Sequence, residues 1–125
     1  MASDFDQAFA QLKNVFARRL GHLAVSEDTP SIYSVSCRTP SPFPQHKGHA
    51  MWFGSVKKGK AYVSFHLMPL YMNPPLMSAV PPGLKKRMQG KTCFNFKTAP
   101  EPELLEQLGQ LVEAAKKDWT LKKFL

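Results

Sequence analysis

Apolar residues recur every three or four positions at both ends of this chain and every second position between them. Phe5, Phe9, Leu12, Phe16 and Leu20 form one stripe, with Ala8 and Val15 beside it, and Leu104, Leu108, Leu111, Val112 and Ala115 form another. That spacing gives an amphipathic helix one buried face. Ser3 suits the N-cap of the first helix, Asp4 and Asp6 its positive end, Arg18 and Arg19 its negative end, and Gly21 its stop. Pro100, Pro102, Glu101, Glu103 and Glu106 suit the first turn of the second helix. Trp119, Leu121 and Phe124 are expected to fold its tail back onto the body.

Between the helices the period changes to two. From Ser31 to Arg38, Tyr33, Val35 and Cys37 alternate with Ile32, Ser34 and Ser36. Ala50–Val56 and Ala61–Met68 are β-rich runs joined by Lys57-Lys58-Gly59-Lys60 as a hairpin, and Lys91–Lys97 makes a last strand with Phe94 and Phe96 on one face. Residues 24–30 read as a loop closed by Pro30. Residues 39–49, where Pro40, Pro42 and Pro44 bracket Phe43, read as an exposed loop. Beyond Pro69, Leu70–Met72 reads as a short strand or bend. The pairs Pro74-Pro75 and Pro81-Pro82 punctuate a connector with helical turns near 76–80 and 83–88, the latter stopped by Gly90.

Two helices with one stripe each cover only one face of an antiparallel sheet. The expected fold is a single α+β domain over residues 1–125, a two-layer sandwich in which the N- and C-terminal helices pack on one face of a mostly antiparallel sheet. The other face is solvated, covered by the Pro-rich segments, or used. A chain of 125 residues buries enough surface to fold without a disulfide or metal staple.

Charge is divided as sharply as hydrophobicity. Residues 31–100 carry ten Lys and Arg but no Asp or Glu, and all nine acids lie in the flanking segments, for a net charge of +8. The middle therefore lacks the commonest general acids and bases, and it should project positive potential. No apolar run approaches the roughly 20 residues needed to span a bilayer. The opening MASDFDQAF lacks the pattern of a secretory signal. A cytoplasmic protein with Cys37 and Cys93 reduced is the expectation, with no membrane partner.

The initial helix, the strand near SIYSVSCRTPSPF, the segments MWFGSVKKGKAYVSFHLMPLYMNP and GLKKRMQGKTCFNFK, and the closing helix together resemble the bacterial YdhG-like domain family over roughly the full chain. The resemblance implies a frataxin-like α–β–α ground plan. Some members of that family are described as intracellular iron chaperones, so it also implies iron delivery. Iron sites want carboxylate and imidazole ligands. Here the first helix supplies only Asp4 and Asp6, the segment after it Glu27 and Asp28, and the middle none, while the net charge repels a cation.

Several side-chain sets carry chemistry. His46 and His49, as H-x-x-H in the Pro-rich loop, offer two metal donors, with Cys37 or His66 as the nearest addition, or are simply exposed loop histidines. Cys93 or Cys37 with His66 as base is the pairing that thiol catalysis requires; small half-buried strand residues are the alternative. Tyr62, Ser64, His66 and Met68 share the outward face of the hairpin strand, and the first three should converge with Asn95 if the last strand lies close, with Trp52 and Tyr71 as walls. That set is a pocket for a small polar or anionic ligand, or else a structural polar network. Lys57, Lys58, Lys60, Lys85, Lys86, Arg87 and Lys91 form two basic clusters interleaved with aromatics, suited to anions and to single-stranded nucleic acid. The expectation is a non-enzymatic binding protein for a small or anionic ligand, with no catalytic residue, metal or cofactor assigned. Iron chaperoning and single-stranded nucleic-acid binding stand as alternatives.

Overall fold

Residues 4–21, 23–40, 47, 50–89 and 93–122 are described by the structure, a computed structural model. The first stripe forms helix α1, Asp4–Ala17. Arg18 and Arg19 follow it in a turn, and Gly21 adopts a positive φ of 52°. Ser3, the expected cap, lies outside the described residues.

Strand β1 follows, Leu23–Asp28, where the sequence predicts a loop. Only Leu23 of this strand is buried, and Val25 is 42% exposed, so the apolar alternation that reveals a strand is absent. Its pairing with β2 (Ile32–Pro40) is antiparallel, and Thr29 closes the turn between them. The backbone N–H of Ile32 donates to Thr29 Oγ1 at 2.9 Å, and the N–H of Thr29 donates to the Ile32 carbonyl at 2.8 Å. The expected loop 39–49 lies largely outside the described residues.

Strands β3 (Ala50–Lys58) and β4 (Val63–Leu67) form the expected hairpin. Helix α2, Met68–Met72, replaces the predicted strand or bend, with Pro69 in its first turn, where a missing N–H costs nothing. A 3-10 turn over Pro74–Ala79 and helix α3, Pro82–Lys85, match the expected helical turns. Helix α3 stops at Lys85, however, and Met88–Gln89 form a short strand, β5; Gly90 lies outside the described residues. Strand β6 spans Cys93–Phe96, and helix α4 spans Pro102–Leu121.

The six strands form one antiparallel sheet in the order β1-β2-β3-β4-β6-β5. Helices α1 and α4 pack on one face of it, so the fold is the expected α+β sandwich. Phe16 of α1 stacks on Phe65 of β4 with ring centroids 4.6 Å apart and meets Phe53 of β3 edge-on at 6.3 Å. Trp119 of α4 meets Phe53 edge-on at 5.3 Å, so the closing helix does fold back. Leu121, by contrast, is 75% exposed, and Phe124 lies outside the described residues.

A bulge in β3 makes the helix–sheet contact close. Between Val35 and Ser36 the partner residue in β3 jumps from Gly54 to Trp52, so Phe53 and Gly54 are consecutive and both buried. A β-carbon on Gly54 would lie 2.5 Å from the His66 carbonyl oxygen and 2.7 Å from Phe16 Cζ. Glycine is what lets Phe16 settle onto the sheet.

The connector packs on the helical side. Helix α2, the 3-10 turn and α3 each contact α4, and Leu70, Val80 and Leu84 join the core. Asn73 Nδ2 donates to Asp118 Oδ1 at 2.8 Å, fastening the connector to α4. Its residues are thus drawn toward the helices, and the opposite face of the central strands carries the candidate site.

Candidate functional site

Strand parity decides which side chains meet on that face. In register, Ser55 lies opposite His66, Lys57 opposite Ser64, Ser64 opposite Asn95, and His66 opposite Cys93. Directly opposed residues share a face, so these groups form a continuous polar band across β3, β4 and β6. The alternate residues Val56, Phe65 and Phe94 are buried beneath them.

Two open pockets lie on this band. The larger, about 540 Å³, is lined by Lys57, Gly59, Lys60, Ala61, Tyr62, Ser64, His66 and Cys93. Its neighbour, about 440 Å³, is lined by Lys86, Arg87, Met88, Asn95, Lys97 and the same Tyr62. Among the described residues no Asp or Glu lines either one. The hairpin places Tyr62 between them, with Gly59 N–H donating to the Tyr62 carbonyl at 3.0 Å. Ala61 is exposed in this turn.

The floor is a small hydrogen-bonded cluster. Ser64, only 8% exposed, donates to Asn95 Oδ1 at 3.2 Å, and the Cys93 thiol donates to the same oxygen at 3.1 Å. Cys93 Sγ also lies 3.6 Å from His66 Nε2. Trp52 flanks the imidazole with ring centroids 5.9 Å apart, and its indole N–H is anchored on the Gly54 carbonyl at 2.9 Å.

Burial pushes the His66 pKa down, and the nearby Lys57 charge adds to that shift. Burial pushes the Cys93 thiol up, opposed by a hydrogen bond with Ser64. At neutral pH the pair is therefore imidazole and thiol rather than imidazolium and thiolate, which leaves the sulfur a poor nucleophile. Cys37 sits on the buried face of β2, and burial raises its thiol to about 11. The positive charge of the site comes from lysine and arginine.

The basic residues named from the sequence are sorted by the fold. Lys57, Lys60, Lys86 and Arg87 line the pockets, and the Arg87 guanidinium lies 5.5 Å from the Phe96 ring centroid. Lys58, one residue out of phase, pairs with Val63 in register and reaches Asp6 of α1. Lys85 is exposed on α3 and lines neither pocket. Lys91, His46 and His49 lie outside the described residues. Tyr71, expected as a wall, is 61% exposed on α2 and lines neither pocket.

Lys97 is the charged pocket residue that the sequence reading lacks. The phase that joins Cys93 and Asn95 runs on to Lys97, so continuing the alternation by one step would have found it. Among the described residues, no three His, Cys, Asp or Glu side chains gather closely enough to hold a metal ion. No helix among them is long and apolar enough to cross a membrane. Set against family models, curated proteins and solved structures, this chain has no match.

Proposed function

We propose that this protein is a non-enzymatic binding protein that takes up a small anionic ligand, such as a phosphate ester, on the outer face of its sheet. One observation carries the proposal. Lys57, Lys60, Lys86, Arg87 and Lys97 surround a band of hydroxyl, imidazole and amide groups, and no described carboxylate lines these two pockets; Lys86 and Arg87 also border a neighbouring cleft that holds Glu101 and Glu103. Clefts with one sign of charge and low-dielectric walls focus potential onto an incoming ion. Tyr62, Ser64 and His66 supply hydrogen bonds that orient it.

The neutral Cys93–His66 pair and the lack of a described carboxylate at its side support binding over catalysis. Iron delivery draws less support. Among the described residues, the metal donors lining these pockets are one imidazole and one thiol among cations, and elsewhere Asp6 is engaged by Lys58 and Asp28 by Lys13. Membership of the YdhG-like family belongs to the same proposal, supported by the order of helix, antiparallel sheet and helix, and so does a cytoplasmic setting, supported by the two free cysteines.

The test is a thermal-shift and calorimetric titration with inorganic phosphate and thymidine 5′-phosphate at low salt. A ligand that prefers the native state stabilises it, by about 2.7 kcal/mol at a hundredfold excess over Kd. Saturable stabilisation that is lost in Lys57→Ala/Lys60→Ala and kept in Lys117→Ala is expected. Equal responses in all three proteins, or none, would refute the proposal.

A further inference from the structure

We infer that the two pockets act together as a track for single-stranded nucleic acid, with Tyr62 as the stacking platform between two phosphate-binding stations. The inference rests on the anion-binding reading above and names its partner.

Four features point to a strand rather than an isolated anion. First, Tyr62 lines both pockets, so one half-buried ring separates two basic sites. Second, the stations have cations on different elements: Lys57 and Lys60 on the β3–β4 hairpin, and Lys86, Arg87 and Lys97 beside β5 and β6. Third, the route between them is polar and continuous, because Ser64 of the first pocket is hydrogen-bonded to Asn95 of the second. Fourth, both stations are open to solvent along the sheet, so a chain can enter and leave.

Spacing agrees with this partner. Asn95 on β6 is two inter-strand steps from Lys57 on β3, and Lys97 follows two residues further along, just past the end of β6, about 12 Å from Lys57 in all. A nucleic-acid strand carries a phosphate every ~3.4 Å of axis when helical and at longer intervals when extended. The span therefore takes two or three phosphates, with a base left to lie on Tyr62. Sequence-tolerant single-strand binders combine a cationic groove with aromatic side chains in this way. Recognition here is of backbone and stacked base, with no strong base preference.

Fluorescence anisotropy with an oligothymidylate ladder, dinucleotide to hexanucleotide, tests this against thymidine 5′-phosphate. Two linked stations raise affinity through effective concentration. The tetranucleotide should bind at least tenfold more tightly than the mononucleotide, with little further gain per site at the hexanucleotide. Tyr62→Ala should remove at least fivefold of the tetranucleotide affinity, and Tyr62→Phe should keep it. With about three phosphates engaged at a slope near −0.7 each, raising salt from about 50 to 200 mM should weaken binding by about 18-fold.

Lys97→Glu, at an exposed position, keeps the test independent of folding. It should abolish the gain in affinity from mononucleotide to tetranucleotide. Affinity that does not depend on length, or a length dependence indifferent to Tyr62→Ala and Lys97→Glu, overturns the strand track alone. Failure of thymidine 5′-phosphate and the oligonucleotides together overturns the anion site beneath it.

Discussion

Gly54→Ala is the sharpest test of how the helical layer meets the sheet. The added methyl would come 2.5 Å from the His66 carbonyl oxygen on β4 and 2.7 Å from Phe16 Cζ. Neither neighbour yields easily. The carbonyl belongs to a central strand paired on both sides, and Phe16 is held face-to-face against Phe65 at 4.6 Å. Overpacking of a well-filled core costs about 1–3 kcal/mol. With two fixed partners the upper half of that range applies, and the lower unfolded-state entropy of alanine returns ~0.5 kcal/mol. A net loss of about 2 kcal/mol is expected. For a domain of this size it lowers Tm by about 6–10 °C. Urea denaturation should show the midpoint falling with the m-value unchanged. Gly109→Ala is the control, because the three atoms nearest its new methyl all belong to the guanidinium of Arg19, a side chain that can move, and alanine gains ~1 kcal/mol of helix propensity. That variant should lie within ~1 kcal/mol of the parent. If Gly54→Ala is as stable as the parent, the close packing of Phe16 on a side-chain-free position is refuted.

Three other outcomes follow from the site. Burial and Lys57 hold the His66 pKa below its ordinary value, so the unfolded chain takes up the proton first as pH falls. The contribution of His66 to stability is whole above about pH 6.5 and is lost on acidification through its folded pKa, and a His66→Gln variant should show a flatter urea-midpoint profile between about pH 7 and 5. Both thiols should react slowly with iodoacetamide near pH 7.5, Cys93 faster than buried Cys37; a Cys37→Ser variant that abolished the faster phase would contradict this. Lys57→Ala should weaken thymidine 5′-phosphate binding severalfold. Lys58→Ala, whose partner is Asp6, should leave that affinity unchanged and cost at most ~1 kcal/mol of stability.

The sequence exposes those elements whose side chains alternate with burial. The stripes of α1 and α4 and the period-two runs of β2, β3 and β4 each place most of their apolar residues in one core. Strand β1 escapes because it is an edge strand held by backbone pairing to β2, with Leu23 alone buried. Strand β5, two residues long, has no period to read. Helix α2 is hidden by Pro69, which looks like an interruption and is a first-turn residue. At the site, Tyr62, Ser64, His66 and Asn95 are legible together because strand parity and neighbouring strands suffice to gather them. Parity also explains Lys58: three lysines that form one cluster in sequence lie on two faces in space. Tyr71 and Lys85 depend on the path of the connector, which is fixed by contacts with α4 rather than by local pattern.

The segregation of charge has a consequence for approach as well as for contact. Described carboxylates sit on α1, on β1, in the approach to α4 and on α4 itself, while cations crowd the hairpin and the β5–β6 end of the outer face. The molecule is therefore electrically lopsided. In the field of a polyanion it experiences a torque before it touches anything, and this torque turns the lysine-lined face forward. Productive encounters are then enriched at low ionic strength, and the advantage fades once the screening length, about 8 Å at physiological salt, becomes shorter than the domain.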